Sequence, residues 1–267
     1  MRMPARPRLS GPILLLIALV LLVGCDRQDP VSRGSFDAFG STMNVTLIGV
    51  DRQRAAEITE ILRGDMAIME QAWHAWEPGP LGRVNQLFNE GSAPFAAPPS
   101  MLPLLRLSQQ LAAQSDDLFN PAIGHLVRAW GFQGRPAGCM RPPPQDLIDE
   151  VVQAKPSMSD ITIEGFRIAS SNPTVKLDFR EIQKGFAIDQ AIARLQELGI
   201  HNASVSVDGD VRAIGSRDGH PWSVPVRGPD GGGILATLQI LGNEAAFTAG
   251  DYRNNFTHDG RIYHDII

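Results

Sequence analysis

The clearest pattern of apolar and polar positions along the chain lies between Leu177 and Leu198. Apolar residues recur there at helical spacing, at Ala187, Ile188, Ala191, Ile192, Leu195 and Leu198, which predicts a helix with one buried face. Gly199 follows at the position where a left-handed residue commonly ends a helix. The pattern therefore predicts a long amphipathic helix in the second half of the chain.

Charged residues stand just before this helix. The apolar run of Val175 and Leu177 ends on Asp178, and Lys184 follows after a turn. A carboxylate at a strand end, beside a lysine and the free N–H groups of a helix start, suits a site for phosphate and a metal ion. The same residues also fit an ordinary strand–turn–helix unit with a solvated Asp and Lys, so this stretch alone leaves both interpretations open.

The first half of the chain is dominated by helical patterns. Alternation from Phe36 to Ile48 predicts one strand. Helices are predicted over residues 51–76, 83–89 and 100–114, the first of them capped by Asp51. Asn120 is a good N-cap for a fourth helix, with Pro121 at the first helical position.

The second half alternates at a period of two residues, which is typical of strands. Turn signals at Glu164-Gly165, Asp208-Gly209 and Asp259-Gly260 predict three hairpins. The expected fold class is therefore α+β, a helix-rich N-terminal half packed with a largely antiparallel sheet around one central helix. No repeat or linker argues for two domains, so we expect a single catalytic domain.

Composition narrows the functional classes. The 267 residues are 43% hydrophobic and 20% charged, with a net charge of -5. This balance gives no indication of a nucleic-acid partner. Cys25 and Cys139 are the two cysteines, and no Cys/His cluster has the spacing of a zinc site. A metal bound here is therefore expected to be a hard ion with oxygen ligands.

The N-terminus has the pattern of an export signal. Basic residues precede the short apolar run Ile13–Val23, which ends in a sequence that resembles a bacterial lipobox, with Cys25 as its cysteine. The resemblance implies a signal peptide over residues 1–24, lipidation of Cys25, a tether over residues 25–33 and a domain over residues 34–267. Localisation is then expected at the inner membrane, lipid-anchored on the periplasmic side. The alternative is a cleaved signal followed by an incidental cysteine.

Four segments, in order, resemble one family of enzymes. They are Asn120-Pro121-Ala122-Ile123-Gly124 with Trp130-Gly131-Phe132, Asp178 to Asp189 with Lys184-Gly185, Val207 to Arg212, and Thr248-Ala249-Gly250-Asp251-Tyr252. This set, over residues 36–267 and behind a lipobox, resembles the FAD:protein FMN transferases, the ApbE-like family. The resemblance implies a Mg²⁺-dependent enzyme that splits FAD. It releases AMP and attaches FMN to a Thr or Ser of a membrane-associated or periplasmic redox protein.

The resemblance also implies roles for particular residues. Residues expected to contact FAD are Phe39, Trp76, Leu118, Phe119, Asn120, Asp178, Lys184 and Thr248. The main-chain carbonyl of Glu181 is expected to bind Mg²⁺, and Asp251 and His264 are the catalytic candidates. Splitting a diphosphate needs charge neutralisation and positioning rather than covalent chemistry by the protein.

Three positions depart from the family pattern. Residues 180–183, Arg-Glu-Ile-Gln, stand where the family often has Gly-Gly-Ile-Ala, and Asp265 stands where it commonly has His, with His264 one residue earlier. The sequence also stops at Ile267, whereas the family continues to acidic and Thr metal ligands. We therefore expect a domain lacking its usual C-terminal segment, with weak Mg²⁺ affinity and low turnover. Two alternatives stay open, an FAD pyrophosphatase and a catalytically weak flavin-binding lipoprotein.

Overall fold

A five-stranded antiparallel sheet forms the centre of the computed structural model, which describes residues 29–76, 78–132, 141–228, 233–251 and 254–267. Its strands, in spatial order, are β1 (Val31–Ala38), β2 (Ser41–Ile48), β6 (Ala203–Val207), β7 (Asp210–Ile214) and β10 (Glu244–Ala246). Three smaller antiparallel sheets lie outside it in the described residues. One has three strands, β3 (Phe95–Ala96), β4 (Ile161–Glu164) and β5 (Arg167–Ser170). The other two have two strands each, β8 (Trp222–Arg227) with β9 (Ile234–Ile240), and β11 (Asn255–His258) with β12 (Arg261–His264).

Six α-helices accompany the sheets in the described residues. They are α1 (Arg52–Trp73), α2 (Pro80–Glu90), α3 (Leu102–Gln114), α4 (Gly124–Trp130), α5 (Gln145–Ala154) and α6 (Arg180–Glu197). The last of them is the predicted central helix, and it packs on β6, β7 and α1. Alternation in β2 turns Met43, Val45 and Leu47 inward, where each is at most 1% exposed. The α+β class is confirmed.

The predicted single strand over residues 36–48 is wrong, because the chain reverses inside it. Phe39 and Gly40 both have positive φ, 53° and 70°, and Ala38 pairs with Ser41 across the turn. A two-residue turn with positive φ at both positions matches the twist of a hairpin. Strand β1 also begins at Val31, so the last residues of the predicted tether belong to the sheet.

Local sequence signals predicted some helix starts correctly and missed others. Asp51 caps α1 as predicted, because its side chain accepts a hydrogen bond from the Arg54 N–H at 2.9 Å. Helix α5 was not predicted, and none of its described side chains is buried. Residues 180–183 form the first turn of α6 rather than a loop before it.

An aromatic cluster joins the first half of the chain to its last hairpin. Trp130 lies 5.5 Å from Tyr263, and Phe132 lies 5.5 Å from Phe256, measured between ring centroids. Aromatic pairs at these separations add about 0.5–1.5 kcal/mol each beyond burial. The Trp-Gly-Phe segment therefore holds the β11–β12 hairpin against α4.

No helix in the described part of the chain is long and apolar enough to cross a bilayer. The predicted signal peptide, Cys25 and Cys139 all lie outside the described residues.

Candidate functional site

The stretch before α6 lies directly against the Asn-Pro-Ala-Ile-Gly segment. The Asp178 N–H donates to the Pro121 carbonyl at 2.9 Å, and the Lys176 N–H donates to the Ala122 carbonyl at 3.0 Å. The Gly124 N–H returns a bond to the Lys176 carbonyl at 2.8 Å. A Cβ on Gly124 would stand 2.5 Å from that carbonyl oxygen. Only glycine allows so close an approach, so the two motifs meet as predicted.

A buried asparagine fixes the same stretch from its other side. The Asn85 side chain, in a residue only 3% exposed, donates to the Leu177 carbonyl at 2.9 Å and accepts from the Leu177 N–H at 2.7 Å. One amide thus satisfies both backbone groups of Leu177, as a neighbouring strand would. Sequence analysis missed Asn85, since nothing in its local pattern distinguishes it from other helical polar residues.

The prediction that Asn120 caps a helix at Pro121 is wrong. Helix α4 begins at Gly124, with Ile123 at the N-cap and no side-chain cap. The Asn120 side chain instead accepts from the Ala122 N–H at 3.0 Å and donates to the Pro156 carbonyl at 2.8 Å. Asn favours such local turns because its amide competes with helix formation. Asn120 therefore shapes the loop that lies against Asp178.

The carboxylate of Asp178 is buried, which excludes the solvated interpretation for this residue. It is 8% exposed, and it accepts from the Arg180 Nε at 2.9 and 3.1 Å and from the Arg180 N–H at 3.0 Å. A carboxylate just before a helix start is also stabilised by the helix dipole. The arginine that departs from the family pattern thus neutralises Asp178 in this chain.

Lys184 lies on the first turns of α6 and faces two hairpin turns. Its ammonium forms an ion pair with Asp208 and donates to the Ser41 Oγ at 3.3 Å. The Ser41 hydroxyl in turn donates to the Asp208 Oδ2 at 2.6 Å. The register explains the meeting, because Met43 of β2 pairs with Val207 of β6. The turns after β1 and β6 therefore lie side by side next to α6.

Negative charge collects around Glu181, the second residue of α6. Desolvation raises the pKa of Glu181 above its ordinary value, and the carboxylates of Asp265 and Asp178 raise it further, while Arg180 and Lys184 oppose them. The residue is exposed, so solvent screening moderates this rise in its pKa. Asp265 follows β12, so the last hairpin lies close enough to act on the start of α6.

These residues are compatible with Mg²⁺ only in an open site. In the described ranges, no group of three or more His, Cys, Asp or Glu side chains is placed to hold a metal ion. Mg²⁺ commonly uses one or two carboxylates together with substrate phosphates and water, rather than a closed protein cage. The carboxylate oxygens of Glu181 and Asp265 fit that mode of binding.

The predicted aromatic contacts divide into two groups. Trp76 is half-buried, and the Lys176 ammonium lies 4.9 Å from its ring centroid, a cation–π contact. Its indole N–H has no hydrogen-bond partner in the part of the chain described. Phe39, in contrast, is 8% exposed and stacks 6.0 Å from Trp73 in the core. Phe39 therefore presents little accessible ring surface to a ligand.

A cluster of basic groups lies beside Trp76. Desolvation lowers the pKa of Lys176 and of His125, and the charge of Arg128 adds to the lowering in both.

Leu118 is 90% exposed, whereas Phe119 packs partly against the core. The Leu118-Phe119-Asn120 segment therefore offers one free apolar side chain near the meeting of the two motifs.

The C-terminal segment also approaches α6 at Gly185. A Cβ on Gly185 would stand 3.2 Å from the Phe247 ring, and the Thr248 N–H donates to the Asp210 Oδ1 at 2.9 Å. Asp251 is exposed, and its carbonyl accepts from the Asn255 side chain at 2.7 Å. Thr248 is therefore held close to the Lys184-Gly185 turn of the helix.

His264 ends strand β12 and is half-buried. Its Nδ1 has no hydrogen-bond partner among the residues described. The adjacent Asp265 accepts from the Asn254 side chain at 2.7 Å. The two residues thus differ, since Asp265 is held in place by a hydrogen bond while the imidazole Nδ1 is left without one.

Known proteins resemble this chain in both sequence and fold. A sequence model of the ApbE family matches residues 39–267. The chain belongs to the ApbE family. Among its relatives, the FAD:protein FMN transferase of Rhodobacter capsulatus is 34% identical over 87% of this chain and 44% of its own length. That of Vibrio cholerae is 30% identical over 96% of this chain and 76% of its own length. The ApbE chain described here thus spans less than half of the first relative and about three quarters of the second.

Solved ApbE structures share the fold. The ApbE protein of Thermotoga maritima matches with a TM-score of 0.76 and 25% identity, over 88% of this chain and 75% of that one. The apo flavinyl transferase ApbE of Pseudomonas stutzeri matches with a TM-score of 0.76 and 26% identity, over 89% and 74% respectively. The sequence and fold similarities together confirm the family resemblance. They assign this ApbE chain to the FAD:protein FMN transferases.

Proposed function

We propose that this chain transfers FMN from FAD to the hydroxyl of a Thr or Ser in an acceptor protein and releases AMP. The observation that carries the proposal is the meeting of separate motifs at the start of α6. Asp178 is held there against the Pro121 segment, Lys184 lies one turn into the helix, and Thr248 is held nearby through Asp210 and Phe247.

The charges at this place suit a diphosphate once Mg²⁺ offsets the carboxylates of Asp178, Glu181 and Asp265. The positive dipole end of the helix start also favours an anion, although the Arg180 N–H there already donates to Asp178. Lys184 adds a cation within the first turns of the same helix. Trp76 and the exposed Leu118 add apolar surface for a flat ring, and Lys176 already covers one ring face of Trp76. We infer that a bound ring uses the opposite face.

In the proposed reaction the acceptor oxygen attacks the phosphorus on the FMN side of FAD. A new phosphoester P–O bond forms, and the bond from that phosphorus to the bridging oxygen breaks. AMP leaves with the electron pair of that bond, and the hydroxyl proton passes to a base. Asp251 and His264 are the candidates, because a carboxylate and a neutral imidazole can each accept a proton.

Mg²⁺ is proposed to be held by the main-chain carbonyl of Glu181, with Thr248 and Asp251 nearby. Glu181 is a helical residue, so its carbonyl lies in the first turn of α6; a carbonyl oxygen has two lone pairs and can accept more than the helix bond. When bound, the ion neutralises the diphosphate and polarises its oxygens. The protein itself positions FAD through Asp178, Trp76 and Lys184.

We further propose that the chain is anchored through a lipid on Cys25, at the inner membrane and on its periplasmic side. The basic n-region, the short apolar run and the lipobox support this proposal. The acceptor is then a membrane-associated or periplasmic redox protein.

The decisive experiment incubates the protein with FAD and a Thr-containing acceptor peptide, with Mg²⁺ or with EDTA. We expect the peptide to gain the mass and fluorescence of FMN while AMP appears in equal amount. Lys184→Gln is expected to depress transfer strongly, and the exposed Lys155→Gln serves as the control. AMP release without peptide labelling would identify a pyrophosphatase. FAD binding with neither product would identify a flavin carrier, and transfer that ignores EDTA would contradict the metal site.

A further inference from the structure

The ion pair between Lys184 and Asp208 has a role that family membership does not supply. Lys184 is the cation proposed to face the diphosphate, yet its ammonium already contacts Asp208 and Ser41. We propose that Asp208, supported by Ser41, is the positioning residue of Lys184. This inference rests on the proposed function and identifies which residues place its principal cation.

The geometry supports this role. The Ser41 hydroxyl donates to Asp208 Oδ2 at 2.6 Å and accepts from Lys184 Nζ at 3.3 Å. The three groups therefore form a closed triangle between the β1–β2 turn, the β6–β7 turn and α6. A lysine side chain has four rotatable bonds and loses rotamer entropy when it is fixed. The triangle restricts the ammonium before any substrate arrives.

The turn alone does not require the negative charge. Asp208 has a φ of 52° and is followed by Gly209 with a φ of 95°, the pair that a two-residue hairpin turn favours. Asn-Gly suits such a turn equally well. Asp208→Asn therefore removes the charge while it keeps the turn and an oxygen for Ser41.

Asp208 also competes with the substrate for the same cation. Both partners are partly exposed, at 30% for the Lys184 side chain and 42% for the Asp208 side chain, so the ion pair is weak and exchangeable. A diphosphate brings more negative charge than one carboxylate, and the three N–H donors of the ammonium allow Lys184 to bind it while Asp208 keeps one of them. Ground-state binding of FAD is therefore weakened by Asp208, while the position of Lys184 for the reaction is improved.

The test is a double-variant cycle on the full chain, with FAD affinity and transfer rate both measured. Asp208→Asn is expected to tighten FAD binding by about two- to fivefold, the range of an exposed ion pair. It is also expected to lower the transfer rate at saturating FAD by about tenfold, because small misplacements of a catalytic group are costly. In a Lys184→Gln background the same substitution is expected to leave affinity unchanged, since the competition has no target.

Controls separate this inference from its alternatives. Asp218→Asn makes the same change in a matched Asp-Gly turn, with a φ of 51° at Asp218, and Asp218 forms no ion pair within the described ranges; we expect no effect. Ser41→Ala is expected to move both quantities in the direction of Asp208→Asn, by a smaller factor. Kinetics and affinity equal to wild type in Asp208→Asn would overturn the proposal. So would tightening that persists in the Lys184→Gln background, which would indicate direct repulsion.

The cycle also distinguishes the two proposals. Coupled binding effects in a protein that transfers no FMN would contradict the proposed function and leave the positioning of Lys184 intact. If wild type transfers FMN but the effects of Asp208→Asn and Lys184→Gln on FAD affinity are additive, the proposed function stands and the positioning of Lys184 by Asp208 is contradicted. Failure of wild type to bind FAD would contradict both.

Discussion

Asn85 provides a sharp test of how the site is supported, because it acts from helix α2 and is proposed to touch no substrate. Asn85→Ala leaves the N–H and the carbonyl of Leu177 without their partner. Each buried backbone group left unsatisfied costs about 1–3 kcal/mol. With two such groups on Leu177, which is 0% exposed, the expected loss of unfolding free energy is about 2–6 kcal/mol. At about 2–4 °C per kcal/mol for chains of this size, the melting temperature falls by roughly 4–24 °C.

The measurement is urea unfolding combined with FAD titration under conditions where the variant is folded. Because Leu177 immediately precedes Asp178, we expect FAD affinity to fall together with stability. Asn89→Ala is the matched control, since Asn89 lies one turn later in α2 and bonds only to the Asn85 carbonyl at 2.9 Å in the described region. A loss below about 0.5 kcal/mol in Asn85→Ala, the scale of an ordinary surface change, would refute the reasoning.

Three further predictions follow from single residues. Trp76→Ala is expected to weaken FAD binding about tenfold, since stacking is worth about 1 kcal/mol beyond burial and 1.4 kcal/mol is one decade; unchanged affinity in a folded variant would leave Trp76 a purely structural residue. The raised pKa of Glu181 means that its ionised form is disfavoured in the folded state. The protonated Glu181 side chain therefore contributes to folding stability at low pH, and this contribution is lost as pH rises through the raised pKa. Glu181→Gln should therefore gain stability over wild type between acidic and neutral pH, measured by urea midpoints with the exposed Glu164→Gln as control, and a gain that grows on acidification would contradict the assignment. Cys25→Ser is expected to move the protein from the membrane pellet to the soluble fraction, and a variant that stays membrane-bound, with no acyl mass on the wild type, would exclude the lipid anchor.

Sequence patterns predicted the parts of the fold whose cause is local. The Asp208-Gly209 and Asp259-Gly260 hairpins formed where predicted, because those dipeptides favour two-residue turns directly. The turn at Phe39 was missed, since a bulky residue at positive φ has no such signal. Its conformation is fixed by stacking on Trp73 in the core.

The site was predicted only as far as the motifs reach. The motifs indicated that Asp178 and the Asn120 segment belong together, and hydrogen bonds confirm that they meet. The partners that decide their chemistry lie far away in the chain, as with Asn85 for Leu177 and Asp208 for Lys184. Such pairs depend on which strand ends share an edge of the sheet, which periodicity does not encode.

The pairing of β2 with β6 also governs when the protein can fold during its synthesis. Strand β2 ends at Ile48 and β6 begins at Ala203, so the β1–β2 hairpin waits for more than half of the chain before its inner edge is covered. Sheets closed by such distant segments fold slowly, because the loop between them must be ordered first. A nascent chain interrupted before residue 203 therefore exposes an unpaired strand edge, which invites association with other chains. Late closure equally means that the central sheet cannot be completed until most of the polypeptide has been synthesised.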